Sequence, residues 1–188
     1  MDLVIKNGTI VTATESYQAD VGVDGETIAL IGRNLSGDEV INADGMVVMP
    51  GGVDPHTHME LPFMGSVSAD DFRTGTIAAA CGGTTTIIDF AIQGAGQTLR
   101  EALDIWLQKA EGKASIDYGM HVAIGAMNDE RMAEMGDMVD VGVPSFKVFM
   151  AYKGSFMVDD ETLFRALLRA KEIGGLITVH AENGDVVN

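Results

Sequence analysis

Cys81 is the only cysteine in the sequence, so no internal disulfide can form and a reducing compartment suits the chain. As a small residue near a predicted helix end it is expected to be buried. Basic residues are scarce: 12 Lys and Arg stand against 28 Asp and Glu, a net charge of -16. Such a chain repels phosphate backbones and acidic membrane surfaces, which argues against nucleic acid as a partner and otherwise leaves the charge silent about substrate. No apolar run reaches the roughly 20 residues that a membrane helix requires. The start, Met1-Asp2-Leu3-Val4-Ile5-Lys6, has no basic stretch followed by a long apolar one. A cytoplasmic protein with no membrane partner is expected. The 46% hydrophobic content over 188 residues is enough for a real core.

Up to residue 48 the sequence reads as short β-runs, at 3–11, 19–23, 27–31 and 46–49, broken by turn residues. Asp24-Gly25 between two of them is a hairpin signal. Residues 1–48 are therefore predicted to form a small β-domain of four or five strands. From Met49-Pro50-Gly51-Gly52 onward strand and helix alternate, the pattern of a parallel sheet with crossover helices. Strands are predicted at 52–58, 84–90, 118–125, 145–151 and 176–180, and helices at 68–80, 98–111, 128–139 and 159–173. Ser68 is the expected cap of the first helix and Gly82-Gly83 its stop. Asp159-Asp160-Glu161 places negative charge at the positive end of the last helix. Five such strands over residues 49–188 suit either a doubly wound sheet or the first part of a (β/α)8 barrel, which normally takes about 250 residues.

Three of the four histidines and one lysine fall at predicted strand ends, where β/α folds hold their ligands. His56-Thr57-His58 spaces two imidazoles by two residues on a strand, so both point to one side and can bind one ion; an H-x-H triplet also arises by chance. Lys147 sits in Ser145-Phe146-Lys147-Val148-Phe149-Met150, an apolar strand buried on both faces, where a bare ammonium is costly. Either it snorkels to the strand end or pairs with a carboxylate, or burial keeps it neutral so that it captures carbon dioxide and bridges two cations as a carbamate. His180 ends the fifth strand just ahead of Glu182-Asn183, polar residues suited to the mouth of a site, although a satisfied core histidine also fits that position. His121, in mid-strand, reads as structural.

Five segments together resemble the dihydropyrimidinase and D-hydantoinase family of the amidohydrolase superfamily, over essentially the whole chain. They are Pro50-Gly51-Gly52-Val53-Asp54-Pro55-His56-Thr57-His58-Met59, Gly82-Gly83-Thr84-Thr85, Asp117-Tyr118-Gly119, Ser145-Phe146-Lys147-Val148-Phe149-Met150-Ala151-Tyr152-Lys153 and Val179-His180-Ala181-Glu182-Asn183. The resemblance implies an α/β fold: a TIM (β/α)8 barrel of the metal-dependent hydrolase type, with about its first five β/α units over residues 49–188. It also implies a small flanking β-sandwich domain whose N-terminal part is residues 1–48. It implies two zinc ions, or other divalent metals, with His56 and His58 on one, Lys147 bridging both as a carbamate drawn from CO2, and His180 on the other. Tyr152 is implied to hydrogen-bond the substrate carbonyl and its developing oxyanion. The expected activity is hydrolytic opening of a cyclic ureide, a dihydropyrimidine or a 5-substituted hydantoin, in a homotetramer. A further histidine ligand and the general-base aspartate of the family have no match in the sequence. These residues are thus expected to be the N-terminal part of the enzyme and not a competent catalyst alone.

Dihydroorotase and allantoinase are the alternative enzymes. Dihydroorotases resemble this chain but place an arginine two residues after the H-x-H pair to hold the substrate carboxylate, whereas here that position is Glu60. A carboxylated ring is therefore disfavoured. Leu61-Pro62-Phe63-Met64 and Phe156 are apolar, either as ordinary loop packing or as a wall for a neutral ring substituent, which makes Phe63 and Phe156 candidate substrate-binding residues beside Tyr152. Dihydropyrimidinase-like scaffold proteins share the fold and lack the metal ligands. The presence of His56, His58, Lys147 and His180 argues for the enzyme.

Overall fold

In the computed structural model, which describes residues 1–63 and 65–187, Asp24-Gly25 turns the chain as the sequence predicts. Strand β1 (Leu3–Val11) pairs antiparallel with β2 (Ser16–Asp24), and β2 with β3 (Thr27–Gly32) across a tight turn in which Gly25 takes φ +58°. Both β4 (Glu39–Asn42) and β5 (Val47–Val48) lie parallel to β1. The sequence does not announce β4, whose four exposed residues show no alternation; it is a strand because β1 offers it a ladder. These five strands form one sheet within the unit Met1–Gly51. A second layer that would complete a sandwich is not among the described residues.

The unit Gly52–Asn188 carries the β/α alternation. Its order is β6 (Gly52–Thr57), the short hairpin β7 (Pro62–Phe63) and β8 (Ser66–Val67), α1 (Phe72–Cys81), β9 (Thr84–Ile92), α2 (Leu99–Ala110), β10 (Asp117–Ala123), α3 (Asp129–Asp140), β11 (Ser145–Phe149), α4 (Asp160–Ile173) and β12 (Leu176–His180). The parallel sheet runs β12-β11-β10-β9-β6, so each strand lies beside its predecessor in the chain. A doubly wound sheet would reverse its order at a switch point. Consecutive helices also touch, α1 with α2, α2 with α3 and α3 with α4, so they form one layer and not two. This single winding is that of a curled half-barrel. Between the layers sits an apolar core built on Leu99, Trp106, Met135, Ile87, Val122 and Phe146.

Two local expectations are corrected. Ser68 does not cap α1: the cap is Asp71, whose carboxylate accepts from the Thr74 N–H at 2.7 Å while the Thr74 hydroxyl answers the Asp71 N–H at 3.2 Å. Ser68 instead closes the β7–β8 hairpin, its hydroxyl accepting from the Leu61 N–H at 2.9 Å. Asp71→Ala should therefore lower the midpoint of urea unfolding, and Asp71→Asn change it very little. Cys81, expected to be buried, is exposed as the last residue of α1.

Candidate metal centre

The period of two along a strand decides which side chains meet. At the end of β6, His56 and His58 turn the same way, their ring centroids 5.1 Å apart. Phe90 of β9 lies beneath both, at 4.7 Å and 5.0 Å. On β11 Phe146 faces the helices and joins the core, so Lys147 faces the opposite way, toward the histidines. Its Nζ stands 5.8 Å from the centre of the Phe90 ring and 5.7 Å from that of Phe149. His180 closes β12, with its ring 5.1 Å from that of Tyr152. These groups, with Phe63 and Phe156, line one cavity of about 370 Å³. Every site residue read from the sequence reaches this cavity. Met64, part of the expected apolar wall, lies outside the described residues.

The surroundings of the histidine pair disfavour its charged form. Burial, then the neighbouring Lys147 and His121 charges, hold His56 below the ordinary imidazole range; burial, then His56 and Lys147, do the same for His58. Both rings are thus biased toward the neutral form that binds metal. Lys147 is 9% exposed, and burial pushes its amine down from the usual lysine value. Lys147 stays in the cavity wall and not on the outer surface, and among the described residues no carboxylate pairs with it. The two aromatic faces offset only part of that cost. Among the described residues no three His, Cys, Asp or Glu side chains gather closely enough to hold an ion. Lys147 lines the same cavity as the histidine pair.

The other two histidines have hydrogen-bond partners of their own. His180 Nε2 lies 2.9 Å from Glu182 Oε2, so a carboxylate orients its ring at the cavity mouth. His121 is a satisfied structural residue, its Nε2 donating to the Pro55 carbonyl at 3.0 Å and its Nδ1 bonded to the Ser145 hydroxyl.

Two carboxylates flank the histidine pair: Glu60 in the turn after it, and Asp89 on β9, which the sequence reading passed over. Glu60 takes φ +51° and points out of the cavity: its carboxylate pairs with Lys113 at 2.8 Å and its carbonyl accepts from Lys109 Nζ at 3.1 Å. Asp89 on β9 is fully buried and accepts from Thr57 Oγ1 and the Met59 N–H. Burial pushes its carboxyl up, against the downward pull of these donors. Its one signal in sequence is a lone carboxylate within the apolar run Thr84–Ile92.

Residues 47–188 match the amidohydrolase family. The chain is 56% identical over 191 residues to a D-hydantoinase of Geobacillus stearothermophilus, covering 100% of this chain and 41% of that one. It is 48% identical over 189 residues to a dihydropyrimidinase of Dictyostelium discoideum, covering 98% of this chain and 38% of that one. It superposes on the crystal structure of dihydropyrimidinase from Brevibacillus agri NCHU1002 with a TM-score of 0.95 at 53% identity, covering 99% of this chain and 41% of the other. It thus spans well under half the length of these relatives. The family's match runs through β6 to β12, and the chain belongs to the amidohydrolase family.

Proposed function

We propose that the protein is a metal-dependent cyclic amidohydrolase that opens dihydropyrimidine or 5-substituted hydantoin rings, its half-barrel being part of a complete (β/α)8 barrel beside a β-sandwich. The observation that carries this reading is the convergence of His56, His58, Lys147, His180 and Tyr152 on one cavity walled by phenylalanines. His56 and His58 would hold one divalent ion, zinc being the expected metal, and His180 a second. Lys147, whose amine burial pushes down from the usual lysine value, would take up CO2 as a carbamate with loss of a proton, and that carbamate would be the further group holding the metal. When bound, such a pair of cations lowers the pKa of water and polarises the amide carbonyl. Tyr152 donates its phenol to the carbonyl oxygen as charge develops there. Hydrolysis breaks the ring C–N bond, leaving a carboxylate on one side and a ureido nitrogen, protonated, on the other.

Substrate class follows from the walls. The cavity adjoins a second one of about 610 Å³, and the two share Leu61, Pro62, Ile92 and Phe156, an apolar passage for a neutral ring substituent. Glu60, committed to Lys113, offers nothing to a substrate carboxylate. In the protein at the full length of its relatives, kcat/KM for dihydrouracil or a 5-substituted hydantoin should exceed that for dihydroorotate by at least about 10-fold. A panel that also includes allantoin checks this; preference for dihydroorotate or allantoin would overturn the substrate assignment, and absence of both turnover and zinc would favour a scaffold.

A further inference from the structure

The alternation that aims His56 and His58 into the cavity aims Thr57 the other way, under the helix layer, and there it meets Asp89. The Asp89 Oδ2 accepts from the Thr57 hydroxyl at 2.9 Å and from the Met59 N–H at 2.8 Å, while its Oδ1 accepts from the Phe90 N–H at 2.7 Å. One carboxylate therefore grips the residues on both sides of His58, and also the residue whose ring lies beneath the two imidazoles. The strand holds this segment only at its start, where Thr57 pairs with Asp89. Pairing of β6 with β9 slips between Asp54 and Thr57, so the sheet register is broken just ahead of His58. A fully buried carboxylate is a costly way to fill space beneath a helix, and an apolar side chain would do so at lower cost. What the carboxylate adds is orientation: three donors fixed to one rigid group.

We propose that Asp89 is a positioning residue for the histidine pair, presetting His58 to receive a divalent cation, with the Thr57 hydroxyl as one of its handles. This rests on the metal-centre reading above. A ligand held at the correct angle before the ion arrives loses less freedom on binding, and groups that orient metal-binding histidines are typically worth about 10- to 100-fold in affinity.

The test is zinc affinity, measured on the full-length protein by competition with a chromogenic chelator, beside thermal unfolding of the metal-free protein. Thr57→Val removes the hydroxyl and keeps the shape, leaving Asp89 its two N–H donors. It should weaken zinc binding by about 10-fold with little change in metal-free unfolding, and Thr57→Ser, which keeps a hydroxyl, should restore the affinity. Asp89→Asn should weaken binding more, toward about 100-fold. A merely structural role would lower the unfolding temperature and leave zinc affinity alone. Should the wild type bind zinc and both Thr57→Val and Asp89→Asn bind it as tightly, the positioning role is overturned and the metal centre stands. Should the wild type bind no zinc, the metal centre falls and the positioning role with it.

Discussion

Lys147→Met, made in the protein at the full length of its relatives, is expected to lose its metal and at least about 10³ of its ring-opening rate. The same substitution should raise the unfolding temperature of the metal-free protein or leave it unchanged. The two effects have one cause. Lys147 is a buried amine whose neighbours are the rings of Phe90 and Phe149, with no carboxylate paired to it among the described residues. As a structural element it is a liability, because desolvation is only partly offset by aromatic faces. Methionine has similar length, no charge and enough flexibility to fill the same space. As the proposed carbamate, by contrast, the lysine would provide the oxygens that neither His56 nor His58 can supply. Loss of several kcal/mol of charge stabilisation at the carbonyl corresponds to the stated rate, at about 1.4 kcal/mol per factor of ten. Metal analysis, a ring-opening assay and calorimetry of the metal-free forms check the three parts. A variant that keeps its metal and its rate would return Lys147 to the status of an ordinary core residue.

Tyr152→Phe should reduce turnover by about 10² to 10³ and leave metal content unchanged. Tyr152 has φ +68°, a left-handed conformation that a bulky residue rarely adopts. The loop that follows maintains it: the N–H groups of Ser155 and Phe156 both donate to the Tyr152 carbonyl at 3.1 Å. Backbone strain held in place at a cavity wall is a mark of function, and here it delivers a phenol beside His180. Phenylalanine keeps the ring, the loop and the packing against Phe149 and removes only the donor. The effect should therefore appear in kcat with metal content intact. Equal turnover in the two proteins would exclude the phenol from the chemistry.

Legibility followed periodicity. Strands β1 and β12 fall on their predicted residues, and α4 begins one residue after its predicted start, because alternation and acidic caps are local properties. The start of α1 was misread because Ser68 and Asp71 are both competent caps, and only the β7–β8 hairpin, formed by its own pairing, claims the first. The choice between a barrel and a doubly wound sheet lies in strand order, which no periodicity encodes. At the site, the histidine pair was visible because two-residue spacing is itself geometry. Lys147 was visible because charge in an apolar strand must be accounted for. Asp89 met the same criterion, yet its partners Thr57 and Met59 lie at the end of another strand and just beyond it, so its meaning emerges only with the pairing of β6 and β9. Glu60 and Lys113 are 53 residues apart, and their ion pair was equally out of reach.

The winding of the sheet has a temporal consequence. Since β9 and β10 stand between β6 and β11, His58 and Lys147 never share a ladder. Each neighbouring pair of strands can form as soon as its own β-α-β segment has been synthesised, whereas a contact spanning the pair and the lysine must wait until all the intervening segments have docked and the sheet has curled. A cation held from both sides, as proposed above, would then be the last rivet driven and not the nucleus around which the chain collects. Its occupancy would report completed assembly, and the cell's supply of metal would set how many finished molecules stay closed.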